Sequence, residues 1–230
     1  MPARGLYKGG LTVSHACPAT THEAGDKGFP MAAITADQVK QLRDKTGAGM
    51  MECKAALSEA NGNMDEAVTL LRKRGLAQAA KRAGRTTAQG LVGSYIHMGG
   101  KIGVLVELNC ESDFVARTDA FQNLIKELAM HVAAADPRWV RREDVPPDAI
   151  EKERSIYRAQ MESSGKPANV IDKIIEGKLG SFYSQFVLLD QPFVRDPNVT
   201  VSQMVAETSA KTGENITVSR FTRYRVGDGE

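Results

Sequence analysis

Apolar residues recur along this chain in two rhythms, and the places where one rhythm gives way to the other mark out its elements. From Lys101 to Asn109 alternate residues are apolar, Ile102, Val104, Val106 and Leu108, which predicts a strand with one face buried. From Thr118 the spacing lengthens to three and four through Phe121, Leu124, Ile125, Leu128, Ala129 and Val132, which predicts an amphipathic helix ending at Ala135. Leu91 to His97 alternates as well. With Gly99-Gly100 between the two runs, the pattern predicts a β-hairpin closed by a two-residue glycine turn. Ile216 to Val226, near the far end, supplies a third strand. A lone hairpin is marginal in water, so the helix from Thr118 must cover one face of a small antiparallel sheet.

Upstream, the signals are helical and short. Thr35 with Gln38 forms a capping-box start for a helix carrying Val39 and Leu42 and stopping at Thr46-Gly47. A second helix begins near Met50, with Met50, Cys53 and Leu57 on one side, and ends at the Asn61-Gly62 turn. Asn63 with Glu66 repeats the capping signature, and Met64, Ala67, Val68 and Leu71 form a stripe that ends at Arg72-Lys73-Arg74-Gly75. Three helices at 31–75 make a small bundle. Residues 76–90 read as a linker with some helix, leaving 91–230 as an α+β core. Within it, 147–186 is helical on both sides of Ser163-Ser164-Gly165-Lys166-Pro167, which predicts an antiparallel helical hairpin whose second arm carries Ile171, Ile175, Leu179, Phe182 and Phe186. A helix capped by Thr200 and Gln203 precedes the last strand. Met1 to Pro30 lack apolar periodicity and read as a flexible tail.

Composition narrows the functional classes. A net charge of +2 over 230 residues supplies no cationic field that would compel nucleic-acid or membrane binding. No apolar run approaches the ~18 residues of a membrane span, and the chain reads as soluble and cytoplasmic. Cys17, Cys53 and Cys110 are too few and too far apart for a disulfide framework. His15, Cys17 and His22 lack metal-ligand spacing, and no metal or cofactor is expected. Beyond the tail only His97 and His131 could serve as a base, and His131 reads as a packed or capping residue at a helix end. Met98-Gly99-Gly100-Lys101 and Thr46-Gly47-Ala48-Gly49 lack the full phosphate-loop or dinucleotide pattern. No catalytic constellation emerges.

The most informative stretch is Glu111-Ser112-Asp113-Phe114-Val115-Ala116-Arg117, which sets a carboxylate and an aromatic ring in the connection between strand and helix. The ring can pack inward as core, or project to enter a partner. Together with Thr46 to Leu57, Gly180 to Phe193 and Phe221 to Gly229, in that order, this stretch resembles bacterial elongation factor Ts. The resemblance runs from Met31 to the end, so that the first thirty residues are either an extension or an upstream start.

The resemblance implies a ubiquitin-associated-like amino-terminal module, a projecting helical hairpin, and a non-enzymatic guanine-nucleotide exchange factor of elongation factor Tu. It assigns Ser112, Asp113, Phe114 and Val115 to displacement of the magnesium ion of elongation factor Tu, with Ser112 where the family pattern has threonine. Arg43, Met50 and Met51 match positions that contact the GTPase domain. Helical phase favours Met51, since Met50 shares a face with Cys53 and Leu57. A chain with one hairpin-and-helix unit corresponds to family members that complete a second core by homodimerisation, so a dimer is expected. Two other readings compete: a ubiquitin-associated-like adaptor, which has no use for an exposed Asp-Phe pair, and an RNA or ribosome binder working through Lys81, Arg82 and Arg85, a cluster that otherwise reads as a solvated segment.

Overall fold

A computed structural model of the chain describes residues 34–162 and 167–228. The stretch read as a tail and the break at Ser163 to Lys166 lie outside the described residues.

Helices α1 (Ala36–Thr46), α2 (Met50–Glu59) and α3 (Met64–Arg82) form the amino-terminal bundle. Thr35 and Gln38 make the reciprocal capping box, and Gly47 takes the left-handed φ of 69° that ends α1. Val39, Leu42, Cys53, Ala56, Leu57, Ala67 and Leu71 are buried together, the stripe the sequence marks. One boundary differs. Gly75 does not stop α3; the helix continues to Arg82 and packs on α8 (Val201–Thr212) of the core. A Cβ at Gly75 would lie 3.0 Å from the Ala210 Cβ, so this glycine permits a close helix crossing. Arg72 Nε meets Glu207 at 2.6 Å beside it. The first part of the segment read as a linker, residues 76–82, is therefore the end of the helix that seats the bundle on the core.

Strands β1 (Gln89–Ile96), β2 (Ile102–Cys110) and β5 (Ile216–Arg225) form an antiparallel sheet in the order β1-β2-β5. The last strand to be made thus completes the sheet, with Cys110 opposite Ile216 and Val106 opposite Phe221. The connection between β1 and β2 is longer than two residues: His97 N donates to Ile102 O at 2.9 Å, leaving Met98 to Lys101 as the loop, with Gly99 and Gly100 both at positive φ. Helix α5 (Asp119–Ala135), capped by Thr118, lays Phe121, Leu124, Ile125, Leu128 and Val132 on Val104, Val106 and Leu108. Burying aliphatic side chains at ~1.5–3 kcal/mol each makes this the main stabilising layer. The opposite face of the sheet stays uncovered, exposing Val92, Ile96, Leu105 and Tyr224.

Helices α6 (Pro147–Glu162) and α7 (Ala168–Phe186) make the hairpin. Arg154 pairs with Glu176 and Arg158 with Asp172, so partners advance on one helix as they retreat on the other, the mark of an antiparallel pair. Val145, Phe182 and Val187, with Trp139, form a small cluster at its base. The sequence reading overlooks β3 (Pro192–Phe193) and β4 (Asp196–Thr200), a ribbon too short for periodicity. His131 is fully buried beneath it: Val194 N–H donates to Nδ1 at 3.3 Å, which places the ring proton on Nε2, 2.9 Å from Gln191 Oε1. It is a packed histidine with both nitrogens used.

Candidate partner-binding site

Strand β2 ends at Cys110, and the chain turns there into a single helical turn, α4 (Asp113–Ala116), rather than an irregular connection. Ser112 is its N-cap, in extended conformation, with Oγ accepting from Val115 N at 3.5 Å. The turn is two-sided. Val115 and Ala116 are buried in the sheet–α5 core, while Phe114 points away and is 77% exposed. Asp113, half-buried, pairs with Arg117 at 2.8 Å across one helical turn. Such surface pairs contribute only ~0.3–0.5 kcal/mol, so Asp113 is readily freed for another cation. Thr118 closes the turn, its hydroxyl donating to Val115 O at 2.7 Å.

The underside is held by polar contacts that local sequence reasoning misses. Glu214, just beyond the Gly213 cap of α8, accepts from Glu111 N at 3.1 Å and Ser112 N at 3.0 Å through Oε2, and from the Ser112 hydroxyl at 2.6 Å through Oε1. Glu111 Oε1 in turn accepts from Asn215 N at 2.6 Å. The buried Cys110 donates its thiol to Ser112 O at 3.1 Å, and burial together with the nearby Glu214 charge pushes that thiol's pKa up, so it stays protonated. Arg85, read as part of a solvated cluster, reaches Glu111 at 3.4 Å, and Arg82 donates to Ser209 O at 3.4 Å. A sequence gives no local signal for Glu214, because its partners lie about a hundred positions upstream.

Arg43, Met50 and Met51 sit together elsewhere, around the Gly47–Gly49 connection of the bundle. Met51 is 76% exposed, as its helical phase implies. Met50 is also exposed, at 45%, although it shares a phase with the buried Cys53 and Leu57. It is the first residue of α2, and its side chain leans toward the helix start, past the neighbours that cover Cys53. Arg43 is exposed in the last turn of α1. Ser112, Asp113 and Phe114 thus form one contiguous presentation with Val115 buried beneath it as an anchor, and the bundle residues form another. A cleft of ≈ 400 Å³ along the seam of bundle and core, lined by Gly47, Arg72, Glu207 and Lys211, includes none of these site residues. Among the described residues no group of three His, Cys, Asp or Glu could hold a metal ion, and no helix is long and apolar enough to cross a membrane.

Comparison with known proteins gives one family. The profile described as Elongation factor TS matches residues 30–228. Elongation factor Ts of Fervidobacterium nodosum is 61% identical over 195 residues, 85% of this chain and 99% of that protein. The Solibacter usitatus protein of that name is 58% identical over 200 residues, 87% and 94% of the two chains. Elongation factor Ts of Thermosipho melanesiensis is 59% identical over 195 residues, 85% and 100%. With its mixed fold of helices and a three-stranded antiparallel sheet, and with identity at this level over nearly the whole of these relatives, the chain belongs to the elongation factor Ts family of translation elongation factors.

Proposed function

We propose that this chain is a guanine-nucleotide exchange factor that binds elongation factor Tu in its GDP state and promotes GDP release by disturbing the magnesium and phosphate site. The observation that carries the reading is the presentation of Phe114: a large ring 77% exposed on a turn whose next two residues are anchored in the core. A soluble chain gains nothing for its own stability from such a ring, and an aromatic fixed on a rigid base suits insertion into a partner. Asp113 stands beside it as the group that competes for, or repels, what surrounds the cation. Magnesium requires near-ideal octahedral geometry, so a small displacement of the groups around it weakens diphosphate binding steeply. No covalent step is needed.

Arg43, Met50 and Met51 supply a second grip, two adjacent methionines giving an adaptable apolar contact. Reciprocity sets the energy scale. A hundredfold loss of GDP affinity corresponds to ~2.7 kcal/mol of coupling, and GDP must weaken binding of the factor equally. The test is release of a fluorescent GDP analogue from elongation factor Tu on mixing with this protein; release at the uncatalysed rate would end the reading.

The uncovered sheet face favours assembly as a homodimer. Val92, Ile96, Leu105 and Tyr224 line it, an apolar face that a second sheet would cover in a sandwich. Sedimentation equilibrium giving a monomer at micromolar concentration would exclude it.

A further inference from the structure

We infer that Glu214 is a positioning residue for the Ser112–Val115 corner, an inference that rests on the exchange reading above. Helix α4 is four residues long, and a single turn is too costly to nucleate to hold itself. Its own cap contact is long, 3.5 Å from Val115 N to Ser112 Oγ. On the core side Val115 and Ala116 anchor it. On the strand side the Glu214 carboxylate collects three donors, the amides of Glu111 and Ser112 and the Ser112 hydroxyl. Hydrogen bonds to an ionised carboxylate are the strong kind, and three on one group fix the direction in which the chain leaves β2.

The carboxylate is itself held. Asn215, buried next to it, donates its amide nitrogen to Arg85 O at 2.8 Å and to Ala83 O at 3.4 Å, and its backbone N–H to Glu111 Oε1. The turn 213–215 therefore ties the segment leaving α3 to the base of the corner. Two chain segments exchange carboxylate-to-amide bonds, Glu214 to residues 111 and 112 and Glu111 to residue 215, which resists both sliding and rotation. Asp113 and Phe114 lie one and two residues beyond the clamped amides, so their aim depends on it. Ser112 explains itself in the same geometry: its hydroxyl donates to Glu214 while accepting from Val115 N, a double use that alanine or valine cannot reproduce. Without Glu214, both amides and the hydroxyl lose their acceptor, and the corner must be ordered at each encounter with the partner.

The experiment compares wild type, Glu214→Ala, Glu214→Gln and Phe114→Ala as full chains, by release of a fluorescent GDP analogue from elongation factor Tu and by amide hydrogen exchange at Glu111 and Ser112. Glu214→Ala is expected to lower kcat/KM about tenfold, equivalent to about 1.4 kcal/mol, and to speed exchange of both amides. Glu214→Gln is expected to stay within about threefold of wild type, because its carbonyl accepts both amides while its NH₂ donates to a reoriented Ser112 hydroxyl. Wild-type GDP release by Glu214→Ala, beside an impaired Phe114→Ala, overturns the assignment, as does unchanged protection of the two amides. If Phe114→Ala itself releases GDP normally, the exchange reading falls, and amide protection alone decides whether Glu214 holds the corner. Where the alanine variant does not fold, Glu214→Asp, which retracts the carboxylate by one methylene, carries the same measurements, and wild-type values there overturn the assignment.

Discussion

Replacing Phe114 by alanine removes a ring that the fold scarcely uses, which makes the two consequences separable. At 77% exposure, ~150 Å² of the ~200 Å² of a phenylalanine is free for a partner to cover, worth ~3–4 kcal/mol at ~25 cal/mol per Å². Ordering and imperfect fit reduce this figure, leaving ~2–4 kcal/mol, the range of an interface hot spot. The expected loss in kcat/KM for GDP release is then ~30- to 1000-fold. Stability should move by no more than ~0.5 kcal/mol, as for other surface changes, and alanine is the better helix former in α4. The assay follows release of a labelled GDP from elongation factor Tu across a range of factor concentrations, with thermal unfolding of each variant measured alongside. Two results refute the reasoning. A variant with intact melting and full exchange activity would show that the ring does no work on the partner. A variant that loses ~3–5 kcal/mol of stability would show that the ring belongs to the core.

Two further expectations concern the scaffold. Burial lowers the His131 pKa below its ordinary 6.5, so the unfolded chain takes up this proton first as pH falls. The stabilisation from the neutral ring is complete above about pH 6.5 and is lost progressively below it, toward the folded value. Melting temperature should therefore fall more steeply between about pH 7 and 5 for wild type than for His131→Gln, and equal slopes would refute the burial argument. Gly90 has φ 153°, and a Cβ there would lie 2.2 Å from Leu108 O. Gly90→Ala should cost ~2–3 kcal/mol, lowering the melting temperature by roughly 5–10 °C in calorimetry, whereas an unchanged melt would mean that β1 shifts register freely.

How much of this was legible in advance depends on the range of the interaction that decides each element. The capping boxes at Thr35 and Thr200, the turn at Asn61-Gly62 and the alternation of Ile102 to Leu108 are local, and each appears where the sequence places it. Even β5 was readable, because its alternation and the need for a third strand agree. Gly75 misleads, since a glycine after basic residues looks like a stop, yet its role is set by Ala210, which must come close. Met50 misleads for a different reason: helical phase says which side a residue faces but not whether the covering neighbour reaches the helix end. Helix α4, four residues long, is too short for a period to repeat within it. The exposure of Phe114 could not be read from the residues themselves, which allow either orientation, and Glu214 had no signal at all because its partners are remote.

The reach of that remoteness has a temporal side. Synthesis proceeds from the amino terminus, so the bundle, the first hairpin and the whole Ser112–Val115 stretch leave the ribosome well before residues 214–225 exist. Until then β2 has a free edge where β5 will pair, and the amides of Glu111 and Ser112 have no acceptor from Glu214. A chain broken off a few dozen residues early would display the full motif and lack its mount. On the proposed reading, a copy in which residues 214–225 are not yet made carries Asp113 and Phe114 without the bonds that aim them.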